Sequence, residues 1–215
     1  MIAAVFDLDR TLLPGTTAER VFLRYLVRCR VLGLSAGIAT LGFVLRSGWT
    51  DIVQEIRAQR PYLTGLHDAR LRLLGRRCAH QELMPLLSRP GLTRLREHQG
   101  LGHRTILLSG SLPYIVEPIA AQVGIDDVIC SQMETRELRL TGHLSGLHPY
   151  GEAKAHLMST HGNAVGVDFA ESFCYADHHT DAALLGLFGH PVCVNPTDQL
   201  RRIACERGWH IESFD

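Results

Sequence analysis

The chain has 215 residues, 46% of them hydrophobic, and its 22 basic side chains balance 22 acidic ones. That length and apolar content suit one domain carrying an insertion, or two small domains. The even charge balance excludes a global field that would draw in nucleic acid or an anionic membrane, so an anionic substrate must be held by local groups.

Ile2 to Phe6 is a short apolar run that meets charge at Asp7 with no basic stretch before it. It reads as a first strand and not as a signal peptide. Cys29, Cys78, Cys130, Cys174, Cys193 and Cys205 lie far apart with no C-x-x-C pair. This argues against a zinc knuckle or a redox motif and predicts buried free thiols in a reducing, cytoplasmic setting.

From about Thr16 to Leu87 the pattern is helical, with apolar positions at Val21, Phe22, Tyr25, Leu26, Ile52, Val53, Ile56, Leu71, Leu73 and Leu74. Pro85 and Pro90-Gly91 are read as ending it. Within this stretch Val31 to Leu45 carries no charge and contains three glycines. It falls short of the roughly 20 residues that a spanning helix needs. A buried helix, or an apolar face touching lipid, fits better than a transmembrane span.

Four more short apolar runs follow: Arg104 to Leu108, Asp127 to Ser131, Ser172 to Ala176 and Pro191 to Val194. Most are apolar along their length, as expected where helices cover both faces of a sheet. Met133 to Leu147 alternates polar and apolar residues and contains Thr141-Gly142, which predicts a small antiparallel hairpin. Gly151 to His161 and Asp198 to Glu206 read as helices. The expected fold is α/β, a Rossmann-like doubly wound parallel sheet. Residues 1–15 and 88–215 form its core, and a helical cap over residues 16–87 is inserted after the first strand.

Asp7-Leu8-Asp9-Arg10-Thr11 follows the first strand, at the carboxyl edge where open α/β sheets bind ligands. Asp7 and Asp9 can face one cavity while Leu8 packs away. Their mutual repulsion is relieved by a hard cation such as Mg²⁺, leaving one carboxylate to attack phosphorus and the other to handle protons. Leu108-Ser109-Gly110-Ser111 ends the second strand ahead of a helix from about Tyr114. A hydroxyl and unpaired N–H groups there suit a small anion. Lys154, at the start of a helix, offers a cation for phosphate. Asp177 and Asp181 end the fourth strand, four residues apart across a turn. His178 and His179 between them raise a zinc site, but adjacent residues rarely face one ion and the oxygen ligands suit magnesium better. Both are read as loop or substrate-facing residues.

In this order, D-L-D-R-T, L-S-G-S, G-E-A-K and A-D-H-H-T-D closely resemble the four motifs of the haloacid dehalogenase superfamily, in its phosphoserine-phosphatase-like branch. Asn195-Pro196 and Arg207-Gly208-Trp209 are similar to that branch's closing segment. The resemblance implies a magnesium-dependent phosphatase of a small phosphorylated metabolite. Asp7 would be the nucleophile that forms an aspartyl-phosphate, and Asp9 the acid and later the base. Asp7, the main-chain carbonyl of Asp9 and Asp177 would hold Mg²⁺. Thr11, Ser109, the Gly110 N–H and Lys154 would bind phosphate, with Asp181 orienting the lysine or the metal shell.

The chain departs from the family pattern at Arg10, Thr180 and Pro149-Tyr150 without losing a catalytic group. At Thr16 the branch's phosphoserine enzymes usually carry a glutamate, and here Glu19 is the nearest acid. That weakens phosphoserine as the substrate. A phosphotransferase, a lipid-phosphate enzyme and an idle membrane-surface binding module remain as alternatives. A dehalogenase is disfavoured by Asp9, which carbon-halogen displacement does not need.

Overall fold

The computed structural model describes residues 1–32 and 59–215. Eight strands occur among them: β1 (Ala3–Phe6), β2 (Arg104–Ser109), β3 (Asp127–Cys130), β4 (Gln132–Arg136), β5 (Arg139–Ser145), β6 (Phe173–Ala176), β7 (His190–Val194) and β8 (His210–Glu212). Six of them make one parallel sheet in the order β3-β2-β1-β6-β7-β8. The first half of the chain builds outward from β1 on one side and the second half on the other. The topological switch point therefore lies between β1 and β6, where a ligand crevice is expected beyond the carboxyl ends.

Seven α-helices lie among the described residues: α1 (Ala18–Arg28), α2 (Asp68–Cys78), α3 (Arg89–Gly100), α4 (Pro113–Val123), α5 (Glu152–Val165), α6 (Ala182–Leu185) and α7 (Asp198–Arg207). Alternate strand residues feed two cores, as the two-residue period of a strand dictates. Phe6, Leu107, Tyr175 and Val194 pack with α1 to α4, while Val5, Ile106, Cys174 and Cys193 pack with α5, α6 and α7. The expected α/β sheet is present, with strand edges within one residue of the sequence reading.

Several expectations need correction. The hairpin of β4 and β5 turns at Glu137 and Leu138, both left-handed (φ 49° and 64°), and not at Thr141-Gly142. Gly142 lies inside β5 for a different reason: a Cβ there would stand 2.3 Å from Thr64 Oγ1. This close approach is where segment 59–68 docks, through Arg60 N to Gly142 O at 2.7 Å and Gly65 N to Leu140 O at 2.8 Å. Pro90 does not end a helix but sits in the first turn of α3, behind the Ser88 cap, where its missing N–H costs nothing. Cys29 and Cys205 are exposed, so only four of the six free thiols are buried. The edge strand β8 was not anticipated, since three residues carry little pattern.

Residues 18–28 and 68–86 are helical, the latter continuing from α2 through a wide π turn (Ala79–Leu83) into a 3₁₀ turn (Met84–Leu86). Most of the apolar run from Val31 to Leu45 lies outside the described residues, as do Ile52, Val53 and Ile56. Among the described residues no helix is long and apolar enough to cross a membrane.

Candidate active site

The ladder of β1 continues one residue past the strand, where Asp7 N donates to Tyr175 O at 2.9 Å. That bond places Asp7 beside the end of β6, two residues before Asp177. Leu8 turns into the core with no exposure, so Asp7 and Asp9 share the opposite side. Arg10 then takes a left-handed backbone (φ 66°), closed by Arg10 N to Leu13 O and Leu13 N to Leu8 O. The turn brings the Thr11 hydroxyl back to donate to Asp7 Oδ2 at 3.2 Å.

Asp9 is held from two sides. The Ala18 N–H, at the start of α1, donates to Oδ1 at 2.6 Å, and the Ser111 hydroxyl donates to Oδ2 at 2.7 Å. Ser111 N in turn donates to the fully buried Ser109 Oγ at 3.1 Å. Gly110 stands between them, and a Cβ there would meet Pro149 O at 3.0 Å and His148 Cε1 at 3.2 Å. Close approach of segment 148–149 is thus what requires glycine.

Lys154 lies in the first turn of α5 and is almost wholly buried. Its ammonium donates to Asp7 Oδ1 at 2.7 Å and to Asp181 Oδ2 at 3.0 Å. Asp177 completes the group: carboxylate oxygens of Asp7, Asp177 and Asp181 lie within 4.8 Å of one another, all buried. Three buried carboxylates beside one ammonium leave negative charge in excess. Burial pushes Asp7 up against the opposing pull of Lys154. Burial, with Asp7 and Asp181, raises Asp177 to about 7, and burial with Asp7 raises Asp9 to about 6. Desolvation works to lower Lys154, but Asp7 and Asp181 outweigh it and drive it upward.

Asp7, Asp9, Gly110, Lys154, Asp177 and Asp181 all line one cavity of about 350 Å³. Thr11 and Ser109 stand behind it as supports for Asp7 and the Gly110 loop. His178 lines the same cavity and caps the following turn, its Nδ1 accepting from Thr180 N at 3.3 Å. The sequence reading passed over Arg60 and His148, which also line the cavity, and named Glu19 only for its distance from Thr16. Glu19 accepts from Arg60 Nη2 at 2.7 Å and from the Tyr62 hydroxyl. No local signal in the sequence marks Arg60, which reaches Glu19 across 41 residues.

The family model for haloacid dehalogenase-like hydrolases matches residues 4–186. The chain belongs to this family of hydrolases. Among its relatives, the phosphoserine phosphatase SerB1 of Mycobacterium tuberculosis (strain ATCC 25618 / H37Rv) is 27% identical over 99% of this chain and 70% of that protein. The histidinol-phosphatase of Neisseria meningitidis serogroup C (strain 8013) is 26% identical over 98% of each chain. A solved structure of a Bordetella pertussis Tohama I protein of unknown function superposes on this haloacid dehalogenase-like hydrolase with a TM-score of 0.82. It does so at 23% identity, covering 99% of this chain and 98% of that one, and so shares the fold. The family and the parallel α/β fold expected from the four motifs are the ones found.

Proposed function

We propose that this hydrolase is a phosphatase that cleaves a small phosphomonoester through an aspartyl-phosphate on Asp7, with Mg²⁺ as its cofactor. The observation that carries the reading is the buried cluster of Asp7, Asp177 and Asp181, two of which, Asp7 and Asp181, bond the ammonium of Lys154, at the switch point of the sheet. Relatives named as phosphatases of two different phosphomonoesters support the reaction class.

An all-oxygen set with excess negative charge fits a hard divalent cation. Asp7, the main-chain carbonyl of Asp9 and Asp177 would hold Mg²⁺, with Asp181 orienting Lys154. When bound, it supplies positive charge that offsets a dianionic phosphate beside these carboxylates.

The chain's own residues perform the rest. Lys154 and the Gly110 N–H bind the phosphoryl oxygens, Ser109 Oγ holds the Gly110 loop from behind through the bond from Ser111 N, and Thr11 fixes the plane of the Asp7 carboxylate. An Asp7 oxygen attacks phosphorus while the ester P–O bond breaks, and Asp9 protonates the leaving oxygen. Asp9 then takes a proton from water, whose oxygen attacks phosphorus, releases phosphate and restores Asp7. The Ala18 N–H and Ser111 hydroxyl orient Asp9 for both transfers.

Residues 16–87 act as the cap that encloses the substrate, and residues 1–15 and 88–215 as the catalytic core. Two features support this division: the helices at 18–28 and 68–86, and the bond from α1 to Asp9. Six free thiols fit a reducing cytoplasm. Quenching the enzyme during turnover with borohydride, which reduces an aspartyl-phosphate to homoserine, tests the intermediate by peptide mass. Conversion at position 7 is expected. Conversion elsewhere, or none during turnover, removes the covalent step.

A further inference from the structure

We propose that Arg10 forms a second anion subsite on the rim of this cavity and so selects phosphomonoesters whose organic part carries a further anionic group, a carboxylate or a second phosphate. The inference rests on the phosphatase reading and deepens it to a class of substrate.

Arg10 lines the cavity that holds Asp7, Asp9 and Lys154, and it is exposed where Asp7 and Lys154 are buried. Its backbone is left-handed (φ 66°), a conformation that a residue with a Cβ disfavours. Five non-glycine residues take such a φ among the described residues, and Arg10 is the one of them that lines the cavity. The turn is closed by backbone bonds, from Arg10 N to Leu13 O at 2.9 Å and from Leu13 N to Leu8 O at 2.8 Å. Neither bond uses the Arg10 side chain, and glycine or asparagine would hold the same turn with less strain. Strain kept at a reacting site points to a use for the side chain that bears it.

The charges on the wall show what that use is. Asp7, Asp9, Glu19, Asp177 and Asp181 all face the cavity, so a second anion on the substrate is repelled unless a cation with spare bonding capacity stands beside it. Lys154 is engaged by Asp7 and Asp181, and Arg60 by Glu19. Arg10 makes no ion pair among the described residues. Against the burial that raises Asp177, it pulls less than Lys154 does, as expected of a guanidinium that stands near the carboxylates without closing on them. A guanidinium is a planar fork of donors, charged at every working pH, that grips a carboxylate or phosphate through two parallel bonds. The transferred phosphoryl group has Lys154 and the Gly110 N–H at the buried end. The anion left for Arg10 is one that the organic part carries out to the rim.

Phosphonates, which bind without being hydrolysed, test this by calorimetry in the presence of Mg²⁺. Phosphonoacetate and 3-phosphonopropionate carry a carboxylate as the second anion, propane-1,3-diphosphonate carries a phosphonate, and propylphosphonate carries none. The parent is expected to bind at least one of the first three about 10-fold more tightly than propylphosphonate, the worth of a hydrogen bond to a charged group. Preference for the carboxylates or for the diphosphonate tells which anion the subsite takes. In Arg10→Asn and Arg10→Gly, both suited to a left-handed backbone, the preference should shrink to within about threefold. Arg10→Lys should keep part of it. A parent that favours none of the three, absence of binding included, overturns the proposal. So does a preference that survives both variants, or a loss of affinity that is equal for all four ligands. Hydrolysis of p-nitrophenyl phosphate by the parent is read beside these titrations. Its absence refutes the phosphatase reading, while the affinity ratios, which need no turnover, still decide the role of Arg10.

Discussion

Lys154 Nζ reaches Asp7 Oδ1 at 2.7 Å across 147 residues of sequence, tying the first turn of α5 to the end of β1. It is the ammonium shared by Asp7 and Asp181, so a side chain without charge leaves three buried carboxylates with no cation between them. Lys154→Met is expected to lower kcat/KM by about 100-fold or more, as loss of a buried phosphoryl donor does. Lys154→Arg should not restore it, because a planar guanidinium does not fill the place of a point charge between two carboxylates. Steady-state kinetics on either variant within about threefold of the parent would remove Lys154 from the site.

The same charge imbalance predicts that a divalent cation stabilises the folded chain. With Mg²⁺ at 100 times its dissociation constant, linkage contributes about 2.7 kcal/mol. For a chain of this size that is roughly 5–10 °C in Tm. Asp177→Ala should lose most of the shift, since Asp177 is one of the three buried carboxylates. Thermal melts with and without Mg²⁺ make the comparison, and an equal shift in both proteins would place the ion elsewhere.

His98 supplies a pH dependence remote from the site. It packs between Phe6, Phe173 and Tyr175, with Nε2 2.8 Å from the Tyr175 hydroxyl and Nδ1 2.9 Å from His103 Nδ1. Burial, then His103 and Arg94, lower it from 6.5 to about 4. Below pH 6.5 the unfolded chain binds a proton that the folded chain refuses. The contribution is thus complete above pH 6.5 and drains away as pH falls toward 4. Between pH 7 and pH 5 the loss is about 2 kcal/mol. His98→Gln, which does not titrate, should show a correspondingly flatter fall in denaturant midpoint over that range. Parallel curves for the two proteins would contradict the assignment.

The parts that could be read directly from the chain are those where a local rule and the fold agree. β1 is four apolar residues followed by Asp7, and burial on both faces demands that pattern. Asp7, Lys154 and Asp177 each sit at the end of a strand or the start of a helix, so their convergence follows from the parallel order of β1 and β6. Gly142 misled the reading of the hairpin because a glycine needed for the close approach of Thr64 looks like a turn glycine, while the actual turn at Glu137-Leu138 has no glycine at all. Arg60 and His148 were invisible for another reason. Their places depend on how segments 59–62 and 146–151 cross the cavity, which is set by docking between distant elements and leaves no periodic trace.

Gly75 shows the same kind of constraint where α2 packs on α4. A Cβ there would lie 2.1 Å from Tyr114 O and 2.7 Å from Tyr114 C, both backbone atoms that cannot swing aside. Gly75→Ala is expected to destabilise the fold by about 1–3 kcal/mol through overpacking. Gly100→Ala, at a position with open space, serves as its control. Urea midpoints that match between the two variants would show that α2 and α4 do not approach so closely.

The most direct test of the whole account is hydrolysis of p-nitrophenyl phosphate by the parent chain and by Asp7→Asn, each with Mg²⁺ and with chelator. Turnover by the parent should require Mg²⁺, and Asp7→Asn should lose it by a factor on the order of 10³ or more. Turnover that persists in chelator, or that survives Asp7→Asn, would contradict an aspartate nucleophile working beside a bound cation.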